Sequence, residues 1–408
     1  MDIRQHSLLN FGFDLTYQNS RFELDLTLVD KKKYIDHTEL ELIQIGSKVF
    51  RDVIQDLYIK ENKKIVVPIS GGLDSRAILS ALIELTPAYN INTYTFGTPG
   101  TYDYDIGNLV AKKFGTKHVA FDLNKYVYSF EELSDIARRN DYQTTLFHHP
   151  PIRDLDALYS DKTIWSGFFG DPSSGSKLIL NDDGLNLKEH FIKKNLYANQ
   201  KITSISLDKF NEHILLPHEY LQKGISVYET IDFCNRQFKY IAPHVLIRGF
   251  NYITPFTDKR WIGFILSIDD KYRINQNLYK KMLISMFPDA FSIKTKNMLG
   301  MPLKVSNLRY IMRKLSHRIQ NNINKIYRLF KDKNINYIDF EKGFKTRDDL
   351  LSIINHIEKD YEFKRNYNFV YRELLNNHMN DSDSKKYILL ISFYFNSYLN
   401  SKQSSIHI

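Results

Sequence analysis

Residues 70–75 read Ser-Gly-Gly-Leu-Asp-Ser and follow the apolar run 65–69, Ile-Val-Val-Pro-Ile. That spacing can hold an anion. Gly71 and Gly72 let backbone amides approach a phosphate closely, and a helix starting just beyond them adds free N–H groups and the positive end of its dipole. Ser70 and Ser75 add hydroxyl donors. Asp74 is the odd member, because a carboxylate repels phosphate unless a divalent cation lies between them. Mg²⁺ commonly binds through one or two carboxylates plus phosphate oxygens, so Asp74 is the first candidate metal ligand. The simpler alternative is a helix cap, with Ser70 or Asp74 bonding first-turn amides. A cap explains a Ser or an Asp, but not two glycines and two serines after a buried strand. A Walker-type loop fits poorly, since no lysine follows the glycines, and the dinucleotide fingerprint is missing. A second acid, Asp171, sits in a Gly/Ser-rich loop at the expected end of another strand.

The elements that must position these residues follow from hydrophobic periodicity. Apolar residues recur at helical spacing over 39–57, and the β-branched run 65–69 suits a strand buried on both faces. A helix is expected over 74–85, a strand over 91–97, a helix over 105–114, a strand over 118–123 and a short strand before the loop 166–176. Alternating strands and helices predict an α/β fold, a parallel sheet with helices on both faces. Alternation within 11–36 predicts short half-buried strands. Beyond residue 185 the pattern is mainly helical. An amphipathic stretch over 308–330 carries Leu308, Met312, Leu315, Ile319, Ile323, Ile326 and Phe330 in phase, with Arg309, Arg313, Lys314, Arg318, Lys325 and Arg328 on its polar positions. That basic face reads as a solvated surface or a contact for an acidic partner.

The chain has 408 residues, enough for two domains or for one with an appended helical region. Its net charge of +9 suits an anionic partner such as a nucleotide. The single cysteine, Cys234, excludes an internal disulfide or a Cys-x-x-Cys site and fits a reducing compartment. The first residues do not follow the pattern of a signal peptide. The apolar run 387–395 is far short of the roughly 20 residues of a membrane span. A cytoplasmic protein is expected.

The stretch 70–75 resembles the pyrophosphate-binding loop of the ATP pyrophosphatase (PP-loop) families, Ser-Gly-Gly-x-Asp-Ser. Among these, the synthetase region of asparagine synthetases is the most similar. Its loop and helix look like 70–82, and its acidic segment, Val-Ala helix and Gly-x-x-His strand look like 102–121. Its second acidic loop, Ser-Gly-x-Gly-x-Asp-Glu, looks like 166–172. Its Pro-Phe-Leu-Asp segment resembles 255–258, and its closing helix resembles 389–399.

The resemblance implies an adenine nucleotide alpha hydrolase-like core with a largely helical C-terminal region. The expected division is a short N-terminal segment over 1–50, a nucleotide-binding core over 51–184 and a mainly helical region over 185–408. It implies ATP and Mg²⁺ as cofactors, with the nucleotide on Ser70, Gly71, Gly72, Asp74, Ser75, Thr95, Phe96, Gly97, Ser166 and Gly167. The metal would lie on Asp74 and Asp171, and Asp103 or Asp105 matches a further acidic position. The lysine that stabilises phosphate charge would be Lys280, Lys281 or Lys296. Two family glutamates are replaced by Phe168 and Pro172. The first 50 residues do not resemble the family's glutaminase domain, so ammonia would come from solution or from a separate glutaminase, or the substrate would carry its own amine.

The implied reaction is ATP-dependent amide formation on aspartate, a sugar acid or a peptide carboxylate. The rival readings are an ATP-dependent enzyme that modifies nucleic acid, and a non-catalytic relative that binds nucleotide.

Overall fold

The computed structural model describes residues 2–18, 22–61, 64–179, 186–327, 333–335, 337–375 and 383–402. Five parallel strands form its sheet: β1 (Ile65–Pro68), β2 (Asn92–Gly97), β3 (Lys117–Asp122), β4 (Thr163–Trp165) and β5 (Asn251–Ile253). Their order is β3-β2-β1-β4-β5. The run Ile65, Val66, Val67 is buried because β1 is central. It pairs with β2 on one side, Val66 opposite Asn92, and with β4 on the other, Val66 opposite Ile164. From β1 the chain steps outward through β2 and β3, then returns to the opposite side for β4 and β5. Strand order therefore reverses at β1, and the loops leaving β1 and β4 open into one crevice. That is where ligands bind in open α/β sheets.

The expected helices form with shifted ends. Helix α2 (Glu39–Lys60) starts at Thr38, whose side chain and that of Glu41 make a capping box. It turns Leu42, Phe50, Val53 and Ile54 inward. Helix α3 (Asp74–Leu85) occupies the expected span, and helix α4 (Tyr102–Phe114) begins three residues before Asp105. The parallel α/β sheet and the helical remainder agree with the expected fold class.

The alternating stretch within 11–36 corrects the expectation of strands. An N-terminal helix, α1 (Ile3–Phe11), capped by Asp2, precedes it. The described residues beyond it form turns, with one isolated bridge between Phe13 and Thr144. Leu24, Leu26 and Val29 are buried, but among the described residues no strand runs alongside them. Their backbone is satisfied locally instead: Val29 N–H donates to the Leu26 carbonyl at 3.1 Å, and Thr27 N–H donates to Asp25 Oδ1 at 3.0 Å. Apolar alternation was met here by burial without pairing.

Two large apolar cores divide the molecule. One joins α2, α3 and 256–293. The other brings Leu8 and Leu9 of α1 together with Phe363 and with 388–398 near the C-terminal end of the described chain. There an Arg4 Nη donates to the Asn396 carbonyl at 3.3 Å, and Asn396 Nδ2 donates to the Thr144 carbonyl at 2.8 Å. The helix expected over 308–330 runs Asn307–Tyr327, and Arg328 and Phe330 lie outside the described residues.

Candidate active site

The apolar strand β1 ends at Pro68, and once Ile69 N–H has donated to the Tyr94 carbonyl at 2.8 Å the chain turns through 70–73 into α3. The loop after β4 meets this turn across the crevice. Two glycines permit the approach. A Cβ on Gly167 would stand 2.9 Å from Asp74 Cβ, and one on Gly170 would stand 2.5 Å from Asp74 Cγ. Any side chain at either position would push the second loop off the first. The cavity between them has a volume of about 570 Å³, and its walls include Ser70, Gly72, Asp74, Ser75, Phe96, Asp103, Ser166, Gly167, Asp171 and Lys296. That size suits a small-molecule ligand such as a nucleotide.

Asp74 lies at the cavity floor, enclosed by protein but open to the cavity. It accepts a hydrogen bond from Tyr279 Oη at 2.8 Å. Loss of hydration and then the neighbouring charge of Asp171 push its carboxyl up to about 8. Asp171 accepts from Ser176 Oγ at 2.9 Å, which fixes its other side. Two enclosed carboxylates that repel each other are relieved by a proton or by a cation. Among the described residues no cluster of three or more His, Cys, Asp or Glu could form an all-protein cage. A pair of acids facing a phosphate-sized space is the donor set that Mg²⁺ accepts when substrate oxygens complete its shell. The residues therefore fit that ion.

On the other side of the loop, Asp103 Oδ1 accepts from the Gly71 amide at 3.2 Å, and its second oxygen pairs with Lys296 Nζ. Lys296 N–H in turn donates to the Gly71 carbonyl at 2.8 Å. The lysine is thus attached to the loop through both its backbone and its side chain. Arg76, buried in α3, sets this attachment from below: its guanidinium donates to the carbonyls of Ala290, Ile293 and Lys294.

The three candidate lysines separate. Lys296 lines the cavity. Lys280 donates to the Asn275 carbonyl at 2.7 Å; burial lowers its pKa, and Asp171 is near enough to oppose that. Lys281 is exposed and bonds both oxygens of Glu39 at 2.7 Å, and like Lys280 it is not part of the cavity wall. Phe96 and Ser166 are in the wall, whereas Gly97 is one step removed, its carbonyl accepting from Leu123 at 3.0 Å. Thr95 supports the floor, its Oγ1 donating to the Ile69 carbonyl at 2.6 Å. Of the two acids considered downstream, Asp103 reaches the cavity, while Asp105 accepts from Gly100 N–H at 2.8 Å and closes its own turn.

Phe168 and Pro172, at the glutamate slots, both line the cavity, and Phe168 packs on Phe22 and Phe169. Phe169 adopts φ +72°, in the left-handed region that favours glycine, and its ring is held by Phe233 and Phe238. Such strain persists where surrounding packing over-determines it. Here it turns the chain so that Asp171 comes back toward Asp74.

With this geometry in view, comparison with known families finds a match over part of the core: residues 56–144 match the family described as Asparagine synthase. This stretch is asparagine synthase-like. The matched segment contains β1, the 70–75 loop, α3, β2, α4 and Asp103, and it ends before Asp171 and Lys296. Among curated proteins no relative matches the chain. An asparagine synthase-like domain suggests an ATP-dependent, amide-forming ligase.

Sequence reasoning missed Tyr279, which lies beside Leu278 and Met282 at helical spacing and so reads as core. It also missed Lys177, Arg236, Gln237 and Tyr337 in the cavity wall. Arg236 and Gln237 come from a segment, Asp232–Ile241, wound as a π-helix. Irregular winding of this kind often accompanies functional sites, but an apolar period does not announce it.

Proposed function

We propose that this chain is an ATP-dependent amide-forming ligase that joins a carboxylate to an amine through an acyl-adenylate. The observation that carries the reading is the convergence of the 70–75 loop, the Asp74 and Asp171 carboxylates and Lys296 on one crevice at the point where strand order reverses. A substrate carboxylate oxygen would attack the α-phosphorus of ATP, and the bond from that phosphorus to pyrophosphate would break. An amine nitrogen would then attack the acyl carbon. AMP would leave with the C–O bonding pair, and the amine's proton would pass to solvent.

The chain's residues would act mainly by placing charge. Asp74 and Asp171 would hold Mg²⁺, with Tyr279 fixing the orientation of Asp74. Mg²⁺, when bound, would supply positive charge beside the departing pyrophosphate. The first-turn amides of α3 and the Lys296 ammonium face the same space. Phe96 and Tyr337 offer aromatic wall for a base. Lys177, from the segment after β4, and Arg236, from the C-terminal region, offer cations to an acidic substrate: aspartate, a sugar acid or a peptide carboxylate. Ammonia, supplied freely or by a separate glutaminase, or an amine on the substrate itself would complete the reaction.

The test is exchange of labelled pyrophosphate into ATP with Mg²⁺, screened over aspartate, uronic acids and cell extract, with Asp171→Asn as control. Exchange stimulated by one acid and lost in the variant supports adenylation. ATP binding without exchange under every condition would favour the non-catalytic relative, which Phe168 and Pro172 at the glutamate slots motivate.

A further inference from the structure

In a helix packed on a globular core, the apolar stripe faces inward and the charged side faces water. The helix Asn307–Tyr327 is built the other way round. Its half-buried positions are Tyr310, Arg313, His317 and Gln320, a polar stripe at helical spacing, followed by Ile323. Arg313 anchors that stripe to the body: its Nε donates to the Leu299 carbonyl at 3.0 Å, and an Nη donates to Tyr102 Oη at 3.3 Å. Leu308, Ile311, Met312, Leu315 and Ile319 lie on the opposite side and are 54% to 69% exposed. Their spacing of i, i+3, i+4, i+7 and i+11 makes one continuous stripe. A contiguous apolar patch of this kind on a protein surface marks a contact.

The charges say what that contact is. Between 307 and 327 there is no Asp or Glu, while Arg309, Arg313, Lys314, Arg318 and Lys325 are present. At about 100° per residue, Arg309 borders the apolar stripe on one side, and Lys314 and Arg318 border it on the other. All three are exposed. Two copies of this face would bring like charges together around the seam, with no acid on the helix to pair them. A nucleic acid would satisfy the cations and leave the apolar stripe uncovered. A bilayer with anionic headgroups satisfies both, because apolar side chains enter the acyl boundary while flanking cations stay at headgroup level. No helix among the described residues is long and apolar enough to cross a membrane, so the helix would lie in the interface plane.

We infer that the helix Asn307–Tyr327 docks this protein on an anionic membrane surface through Leu308, Ile311, Met312, Leu315 and Ile319. Its anchor, Leu299, belongs to the same short loop as Lys296 and Asn297 of the cavity wall. Docking therefore holds the cavity rim beside the bilayer. The inference rests on the helix alone and stands apart from the reaction proposed above.

The test is co-sedimentation of the full chain with phosphatidylcholine vesicles, with and without phosphatidylglycerol. Partition is expected only with the anionic lipid, and it should weaken as salt rises. Leu315→Ser and Ile319→Ser should each lower partition about tenfold. Arg309→Gln and Arg318→Gln should each lower it about fivefold. Unchanged melting of these variants would show that the fold is intact, since all four side chains are exposed. Equal partition into neutral and anionic vesicles, or none into either, overturns the inference. So does wild-type partition by the Ser variants. A dimer in solution that Leu315→Ser abolishes would assign the stripe to self-association instead, and vesicle-independent binding to RNA would assign the cations to nucleic acid.

Discussion

Replacing Asp74 by Asn removes a charge and little else, because the amide oxygen can still accept from Tyr279 Oη. In the metal-free protein the carboxyl is displaced from 3.8 to about 8. At about 1.4 kcal/mol per pH unit of displacement, keeping it ionised costs the fold at most about 6 kcal/mol. Water in the cavity reduces that to a few kcal/mol. The sign follows from linkage: a carboxyl whose folded pKa is raised keeps its proton more tightly in the native state. Its favourable contribution is present at low pH and is lost as pH rises from about 4 to about 8.

In chelator, Asp74→Asn should therefore unfold at higher urea or temperature than wild type near pH 8, and the gap should narrow as pH falls. Adding Mg²⁺ with pyrophosphate should reverse the order, because wild type gains a ligand that the variant cannot hold. The readout is two melting series, with and without Mg²⁺, across this pH window. A variant less stable than wild type near pH 8 in chelator would refute the electrostatic account. One still stabilised by Mg²⁺ would remove Asp74 from the proposed metal site.

Two further outcomes are expected. Lys296→Ala should lower the rate of ATP–pyrophosphate exchange by about 10²–10³-fold with a much smaller change in ATP affinity, measured by steady-state exchange and by calorimetry. Glu229→Gln should cost about 3–5 kcal/mol in urea denaturation, because it leaves the fully buried Arg273 guanidinium, now 2.6 Å from a Glu229 carboxylate oxygen, without its main counter-charge.

How far the chain could be read from sequence depended on the range of the interaction. The span of α3 and the strands β1 to β3 came through because each rests on local periodicity and turn chemistry. Asp74 was legible because its neighbours in sequence are also its neighbours in space. Tyr279 was not: its hydroxyl meets Asp74 across 205 positions, and nothing near it in sequence distinguishes it from a core aromatic. Strand β5 has three residues, too few for alternation to register. Residues 22–36 show the opposite error, since alternation specifies which side chains are buried but not that a neighbouring strand exists. The 308–330 stretch had the correct period, but a period does not say which face meets the body. That was set by Arg313, Leu299 and Tyr102.

The pairing of α1 with 388–398 also sets an order of events during synthesis. Helix α1 is made long before its partner 388–398, so Leu8 and Leu9 stay uncovered until that segment has been synthesised. The sheet and the 70–75 loop can assemble earlier, from segments complete by residue 253. A nascent chain paused there would already carry its 70–75 turn, yet helix α1 would still be exposed to chaperones and proteases.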